Sequence, residues 1–282
     1  MYYNKLGKTG LNVSAVAFAG IVNMDETRED AIRYTAYAVG AGVNYFDAPS
    51  YGNAEERLAD ALAPFRKDIY LACKTQKRDA AGSREELLAS LKRLKTDHFD
   101  VYQLHAMTTP DDVERAFAKD GAIKTLKWAK SEGLVRHCGF SAHNEDTALQ
   151  CLERFDFDTV MFPMNWAMGL NTGWGNRIAD AVKQRGIGLI AIKTLIERKW
   201  REEETHTFAK SWCKPIGDNE ALSVAAMKYG VEKGAAMLIP PGNFTHQRFM
   251  LEHIDACKEP LTADEWALLR AAAETVKDEA IF

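Results

Sequence analysis

Residues 44–75 read NYFDAPSYGNAEERLADALAPFRKDIYLACKT. An apolar strand, NYFD, enters a polar loop. An amphipathic helix follows in NAEERLADALAPF, and then a second apolar strand, DIYLACKT. Strands this uniformly apolar belong to a sheet covered on both faces by helices. Outward from this stretch the same unit recurs. Before it lie VSAVAFAG and the helix DAIRYTAYAVGAG. After it come the helix SREELLASLKRL, then DVYQLHA with DDVERAFAKDGAIKTLKWAKSEG, VRHCGFSA with NEDTALQCLERF, TVMFPMNW with GNRIADAVKQRG, IGLIAIKTL with NEALSVAAMKYGVEKG, and AAMLIPPG with HQRFMLEHIDAC. Gly42, Gly133, Gly186 and Gly234 stand where helices should stop. Eight units in 282 residues predict an α/β fold, a (β/α)8 TIM barrel forming one domain over residues 1–282. A hairpin-like segment, KLGKTGLNVS, opens it, and an extra helix, TADEWALLRAAAETV, closes it. The competing open sheet would normally carry GxGxxG after its first strand, and no such string occurs. The longest irregular stretch, Glu197 to Asp218, follows strand seven and is expected to lie over the active-site face as a lid.

Composition narrows the function. The net charge is -4, with no basic stripe interleaved with aromatics, so no case arises for nucleic acid. No apolar run approaches the ~20 residues of a membrane helix. MYYNKLGKTG has no basic segment followed by an apolar one, so no secretory signal is read there. Five scattered cysteines without a CxxC pair suit reduced thiols in a cytoplasmic protein. No HxH or HExxH string suggests a metal.

Asp47 and Lys74 end the second and third predicted strands, His105 ends the fourth, and Tyr51 lies four residues beyond Asp47. Barrel active sites sit at the C-terminal ends of strands, so all four share one rim. Each has a plain structural alternative: Asp47 as a helix cap, Tyr51 as a loop-tip aromatic, Lys74 as half of a local ion pair, His105 as a hydrogen-bonded core residue. Together they make a proton-donating site. A phenol titrates near ~10, and a nearby ammonium such as Lys74 lowers that value. Asp47 would keep Lys74 charged and oriented, and His105 would orient a substrate oxygen. Protonating an oxygen while steadying negative charge suits carbonyl reduction. Side chains cannot supply hydride, so a nicotinamide cofactor is implied.

The pieces KLGKTGLNVS, FDAPSYGNAE, LACKT, DVYQLH, SEGLVRHCGFS and IPPG, in this order, resemble the aldo-keto reductase family over nearly the whole chain. The resemblance implies a (β/α)8 reductase of aldehydes or ketones with Tyr51 as proton donor and Asp47, Lys74 and His105 as its partners. It implies NADP(H) more than NAD(H), with no metal and no iron–sulfur cluster, and a small carbonyl compound as the partner. Ser141 would meet the nicotinamide carboxamide, and Gly20 would also touch the cofactor. Lys193, Thr194 and Leu195 would meet the pyrophosphate. Gly242, Asn243 and Arg248 would meet the 2′-phosphate and adenosine.

Several positions depart from the family pattern. The Asp47–Tyr51 gap is one residue short of the usual five. Ala142 replaces the Asn that follows the strand-five Ser. Met161 replaces a strand-six Gln, Ile192 an aromatic, and Pro241-Gly242 a Lys-Ser pair. Two other readings stay open. A strand-end Lys74 or Lys193 could form a Schiff base in an aldolase-type enzyme. The scaffold could instead bind a nicotinamide cofactor as a regulatory protein with little turnover. Trp166, Trp174 and Trp212 either line a pocket or pack their loops, and His137 and His143 are read as structural.

Overall fold

The apolar runs lie side by side as parallel strands. The computed structural model describes residues 1–282. In chain order the elements are β1 (Tyr3–Lys5), β2 (Asn12–Ser14), β3 (Phe18–Ala19), α1 (Arg28–Gly40), β4 (Tyr45–Asp47), α2 (Ala54–Leu62), β5 (Tyr70–Thr75) and α3 (Ala80–Arg93). Then follow β6 (Phe99–Met107), α4 (Pro110–Phe117), α5 (Ile123–Ser131), β7 (Val135–Ala142), α6 (Glu145–Arg154), β8 (Thr159–Pro163), α7 (Trp166–Thr172), α8 (Asn176–Arg185) and β9 (Gly188–Ile192). The last are β10 (Ile196–Arg198), β11 (Lys214–Pro215), α9 (Glu220–Glu232), β12 (Met237–Leu238), α10 (Phe244–His253) and α11 (Ala263–Thr275).

The parallel sheet runs β3-β4-β5-β6-β7-β8-β9-β12. It closes on itself: Val16 pairs with Leu238, the Ala17 N–H donates to the Leu238 carbonyl at 3.0 Å, and the Leu238 N–H donates to the Ala15 carbonyl at 2.9 Å. The chain is therefore the (β/α)8 barrel its repeats predict. Helices begin where short polar side chains accept the first free N–H groups, at Thr27, Asp79, Thr109, Asn144, Asn219 and Asn243.

The barrel floor is closed by the β1–β2 hairpin, which pairs Tyr3 with Ser14 through Lys5 with Asn12. Gly7 takes φ +51° against the start of β9, where a Cβ would come within 2.2 Å of the Gly188 nitrogen. Leu6, fully buried, packs beside it. This hairpin corrects the first strand read from the sequence. VSAVAFAG is not one strand: Val13 and Ser14 pair back onto the hairpin, and only Phe18–Ala19 and the Val16 bridge join the barrel.

Three other boundaries differ. The long helix expected after strand four is two helices, α4 and α5, and Gly121 lies between them. A helix, α7, precedes the one expected after strand six, and it packs with α9 and α11 in a second apolar cluster. The expected lid carries its own structure. β10 and β11 form a two-stranded antiparallel ribbon, and Arg198 at its base pairs with Glu204 at 2.5 Å and with Glu279 at 3.5 Å.

Candidate active site

Seven of the eight barrel strands, and Ile239 just beyond the eighth, deliver a residue to one cleft at the C-terminal ends of the strands. Asp47, Tyr51, Lys74 and His105 line it together. Asp47 ends β4, and Lys74 is the penultimate residue of β5, pointing the same way as Ala72 and opposite to Cys73. Lys74 Nζ donates to Asp47 Oδ2 at 2.5 Å and to the Ala48 carbonyl at 3.5 Å. The residues are only 4% and 7% exposed, so the pair is withdrawn from water. Asp47 Oδ1 has no partner. Burial pushes the Asp47 carboxyl up, and the Lys74 ammonium pulls it back only in part. Gly20 faces the same wall, where a Cβ would come within 2.7 Å of the Asp47 carbonyl; its lack of a side chain has a packing reason.

His105 is aimed by a break in β6. The register with β7 shifts between Leu104 and Met107, and Ala106 takes φ +51°, a left-handed value costly for a residue with a Cβ. Arg78 holds the distorted segment by donating to the His105 carbonyl at 2.7 Å and to the Ala106 carbonyl at 3.0 Å. Ser141 holds it from the other side, its Oγ accepting from the Ala106 N–H at 2.8 Å. Burial first, then the charges of Lys74 and Arg78 and the His143 ring, lower His105 to about 3, so the imidazole is neutral at ordinary pH.

The short Asp47–Tyr51 segment still brings Tyr51 into the cleft. Its ring lies nearly parallel to that of His105, with centroids 6.1 Å apart. The phenol differs from expectation in its acidity. Burial and the Asp47 carboxylate raise its pKa above the ordinary value. Lys74 does not lower it, because its ammonium is neutralised by Asp47 at contact distance.

The residues expected to meet a cofactor divide. Gly20, Ser141, Lys193 and Gly242 line the cleft. Thr194 is fully buried with its hydroxyl unpartnered, and Asn243 caps α10 with its Nδ2 unpartnered. Leu195 is packed in the core. Arg248 stands out on α10, 3.6 Å from Glu252. Of the three tryptophans, Trp212 lines the cleft, 6.2 Å from Tyr51. Trp166 is fully buried in the α7–α9–α11 cluster, and Trp174 stacks on Phe162 and Phe282.

Sequence reasoning missed His143, Lys210, Ser211 and Cys213, which also line the cleft. Only the lid's length hinted at the last three. The lid lies across the mouth like a strap. Lys210 Nζ donates to the Val22 carbonyl at 2.7 Å, the Met24 carbonyl at 2.9 Å and Glu26 Oε1 at 2.5 Å. Thus the loop after β9 is tied to the loop after β3, over the pocket. No group of three or more His, Cys, Asp or Glu side chains is placed to hold a metal ion, and no helix is long and apolar enough to cross a membrane.

A model of the Aldo/keto reductase family matches residues 19–274. The chain belongs to the aldo/keto reductase family. Among curated relatives of this oxidoreductase family, it is 30% identical over 176 residues to the "Uncharacterized oxidoreductase YqkF" of Bacillus subtilis, a match spanning 57% of this chain and 55% of that protein. Among solved structures, the holo form of the aldo-keto reductase AKR11C1 of Bacillus halodurans superposes with a TM-score of 0.75 at 21% identity, covering 100% of this chain and 98% of that one. The Bombyx mori aldo-keto reductase AKR2E4 in complex with NADP superposes with a TM-score of 0.70 at 18% identity, covering 100% and 98%. At these identities the two structures speak for the fold.

Proposed function

We propose that this aldo/keto reductase is an NADP(H)-dependent reductase of aldehydes or ketones, with its one domain spanning residues 1–282. The observation that carries the reading is the buried Asp47–Lys74 pair in one cleft with Tyr51 and a neutral His105.

The cleft fits a dinucleotide in chemistry. Thr194 and Asn243 hold unpartnered polar atoms after β9 and before α10. The Asn243 cap of α10 directly follows Gly242, which lines the cleft, and a helix N-terminus offers N–H groups to a phosphate. Lys193 and Lys210 line the same cleft, and Arg248 on α10 supports a 2′-phosphate and so NADP(H). Ser141 Oγ keeps its own O–H free to donate to a carboxamide after accepting from Ala106. When bound, the reduced nicotinamide supplies the hydride.

The protein's residues do the rest. His105, neutral, donates an N–H to the carbonyl oxygen and orients it. Tyr51 then transfers its phenolic proton to that oxygen as negative charge gathers there. The raised pKa of Tyr51 keeps the proton in place at neutral pH. Transfer remains downhill, because an alkoxide is a far stronger base than any phenolate. Asp47 fixes Lys74 in the wall of the cleft that also holds Tyr51 and His105. The same pair argues against a Schiff base at Lys74, since an ammonium held by a carboxylate is a poor nucleophile.

The direct test is Tyr51→Phe, assayed with NADPH and a panel of aldehydes. Turnover should fall by ~10²-fold or more while NADPH binding persists, the scale of general acid catalysis. Unchanged turnover would remove Tyr51 from this role. Parallel titrations with NADPH and NADH test the cofactor preference.

A further inference from the structure

Four pocket-lining side chains carry formal charge, and their partners are unequal: Asp47, Lys74, Lys193 and Lys210. Asp47, the only carboxylate among them, is engaged with Lys74. Lys210 is engaged with Glu26 and two carbonyls. Lys193 makes no ion pair. Its Nζ meets Cys213 Sγ at 3.4 Å, a weak acceptor, and lies 4.8 Å from the centre of the Phe282 ring.

The backbone at Lys193 is specially built. It takes φ +62°, uncommon for a residue with a side chain. Asn165, fully buried, donates from Nδ2 to the Lys193 carbonyl at 3.1 Å and to the Ile196 carbonyl at 2.6 Å, holding this turn. The turn sends the side chain toward Cys213, Phe282 and His143. His143 cannot share the charge: burial, then Lys193 itself, lowers it to about 4. The corner beside His105 and His143 therefore presents one unpaired ammonium to whatever occupies the pocket.

We propose that the Lys193 side chain selects carbonyl substrates bearing a carboxylate, the carbonyl facing Tyr51 and His105 and the carboxylate facing Lys193. This rests on the carbonyl-reductase reading for its chemistry. It reassigns the Lys193 side chain from cofactor phosphate to substrate and leaves the backbone of residues 193–195 to the cofactor. A half-buried ammonium without a protein carboxylate gains a hydrogen-bonded ion pair from such a substrate, and a neutral ester cannot supply the opposite charge.

The test compares 4-carboxybenzaldehyde with its methyl ester, in wild type and Lys193→Met. Two readouts are needed: steady-state kcat/KM with NADPH, and equilibrium binding of each aldehyde to protein saturated with NADP⁺. Wild type should prefer the acid by about tenfold to a hundredfold, the worth of one hydrogen bond to a charged group. The preference should act through KM, shrink to about threefold or less in Lys193→Met, and persist in Lys193→Arg. If the acid is bound preferentially through Lys193 but neither aldehyde turns over, the inference stands and the reductase reading falls. If both turn over with equal KM in wild type and variant, the inference falls and the reductase reading stands. If Lys193→Met weakens NADPH about tenfold and slows both aldehydes alike, the side chain belongs to the cofactor phosphates and the proposal is overturned.

Discussion

Replacing Lys74 by methionine probes the site without any substrate. The new side chain keeps the length and apolar stem and removes only the ammonium. Asp47 then has Oδ2 without its partner and Oδ1 as unpartnered as before. With the two side chains only 10% and 5% exposed, water cannot take the place of the ammonium. Breaking a buried pair from one side costs about 3–5 kcal/mol. Against a total near 5–15 kcal/mol, that is a large share, roughly a 10 °C fall in Tm. The pH dependence gives the mechanism away. Without Lys74 the folded-state pKa of Asp47, already raised by burial, climbs further above its unfolded value. The penalty is then fully present above that raised pKa and shrinks as pH falls through it, because protonation removes the buried charge. Urea melts of both proteins near pH 7.5 and near pH 4.5 should show about 3–5 kcal/mol of loss at the first and much less at the second. The double variant Asp47→Leu with Lys74→Met should recover most of the loss, since no buried charge is left. A loss under about 1 kcal/mol at neutral pH, or one that persists unchanged in acid, would refute a desolvated, mutually dependent pair.

Three further outcomes follow from the geometry. His105, His143 and His246 are lowered by burial to about 3, 4 and 4, whereas the unfolded chain takes up these protons near pH 6.5. Stability should be level above about pH 7 and fall as pH drops below 6.5, at a slope bounded by about 4 kcal/mol per pH unit for three protons; equal urea midpoints near pH 7 and pH 5 would contradict this. Because burial, and then Asp47, hold the Tyr51 proton in place, the alkaline decline of the reduction rate should begin above about pH 9, and a decline centred near neutral pH would assign the proton to another group. Gly7→Ala should destabilise by about 2 kcal/mol or more, since its Cβ meets backbone in a left-handed turn; a melt within about 0.5 kcal/mol of wild type would show that the hairpin yields.

Much of the barrel was legible because its strands are covered on both faces. NYFD, IYLACKT and VRHCGFSA have no polar alternation to confuse with a surface strand, and Gly42, Gly133, Gly186 and Gly234 end up at helix stops. VSAVAFAG misled because apolar continuity does not say where a strand changes partner, and the hairpin takes its first half. The gathering of Asp47, Tyr51, Lys74 and His105 followed from strand ends alone. The acidity of Tyr51 did not, since it depends first on how deeply the folded cleft buries the phenol and then on the nearby Asp47 carboxylate. His143, Lys210 and Cys213 carry no local signal: loops outside the strand ends bring them in, and the burial of Trp166 against α9 and α11 is equally a matter of tertiary packing.

The ring of strands is joined unevenly. β6 and β7 share a long ladder from Phe99 to Met107, while β3 and β12 meet at one bridge and two hydrogen bonds. In a closed ring the thinnest joint is where opening begins. Its two sides run directly into Gly20–Ile21 and Pro240–Gly242, both of which line the pocket. A molecule long enough to touch both loops acts as a rivet through this joint, and its binding free energy becomes cohesion of the whole barrel. Occupancy and integrity are therefore one equilibrium in this chain, and the amides of Ala17 and Leu238 are its gauge, the first to slow in hydrogen exchange as the pocket fills.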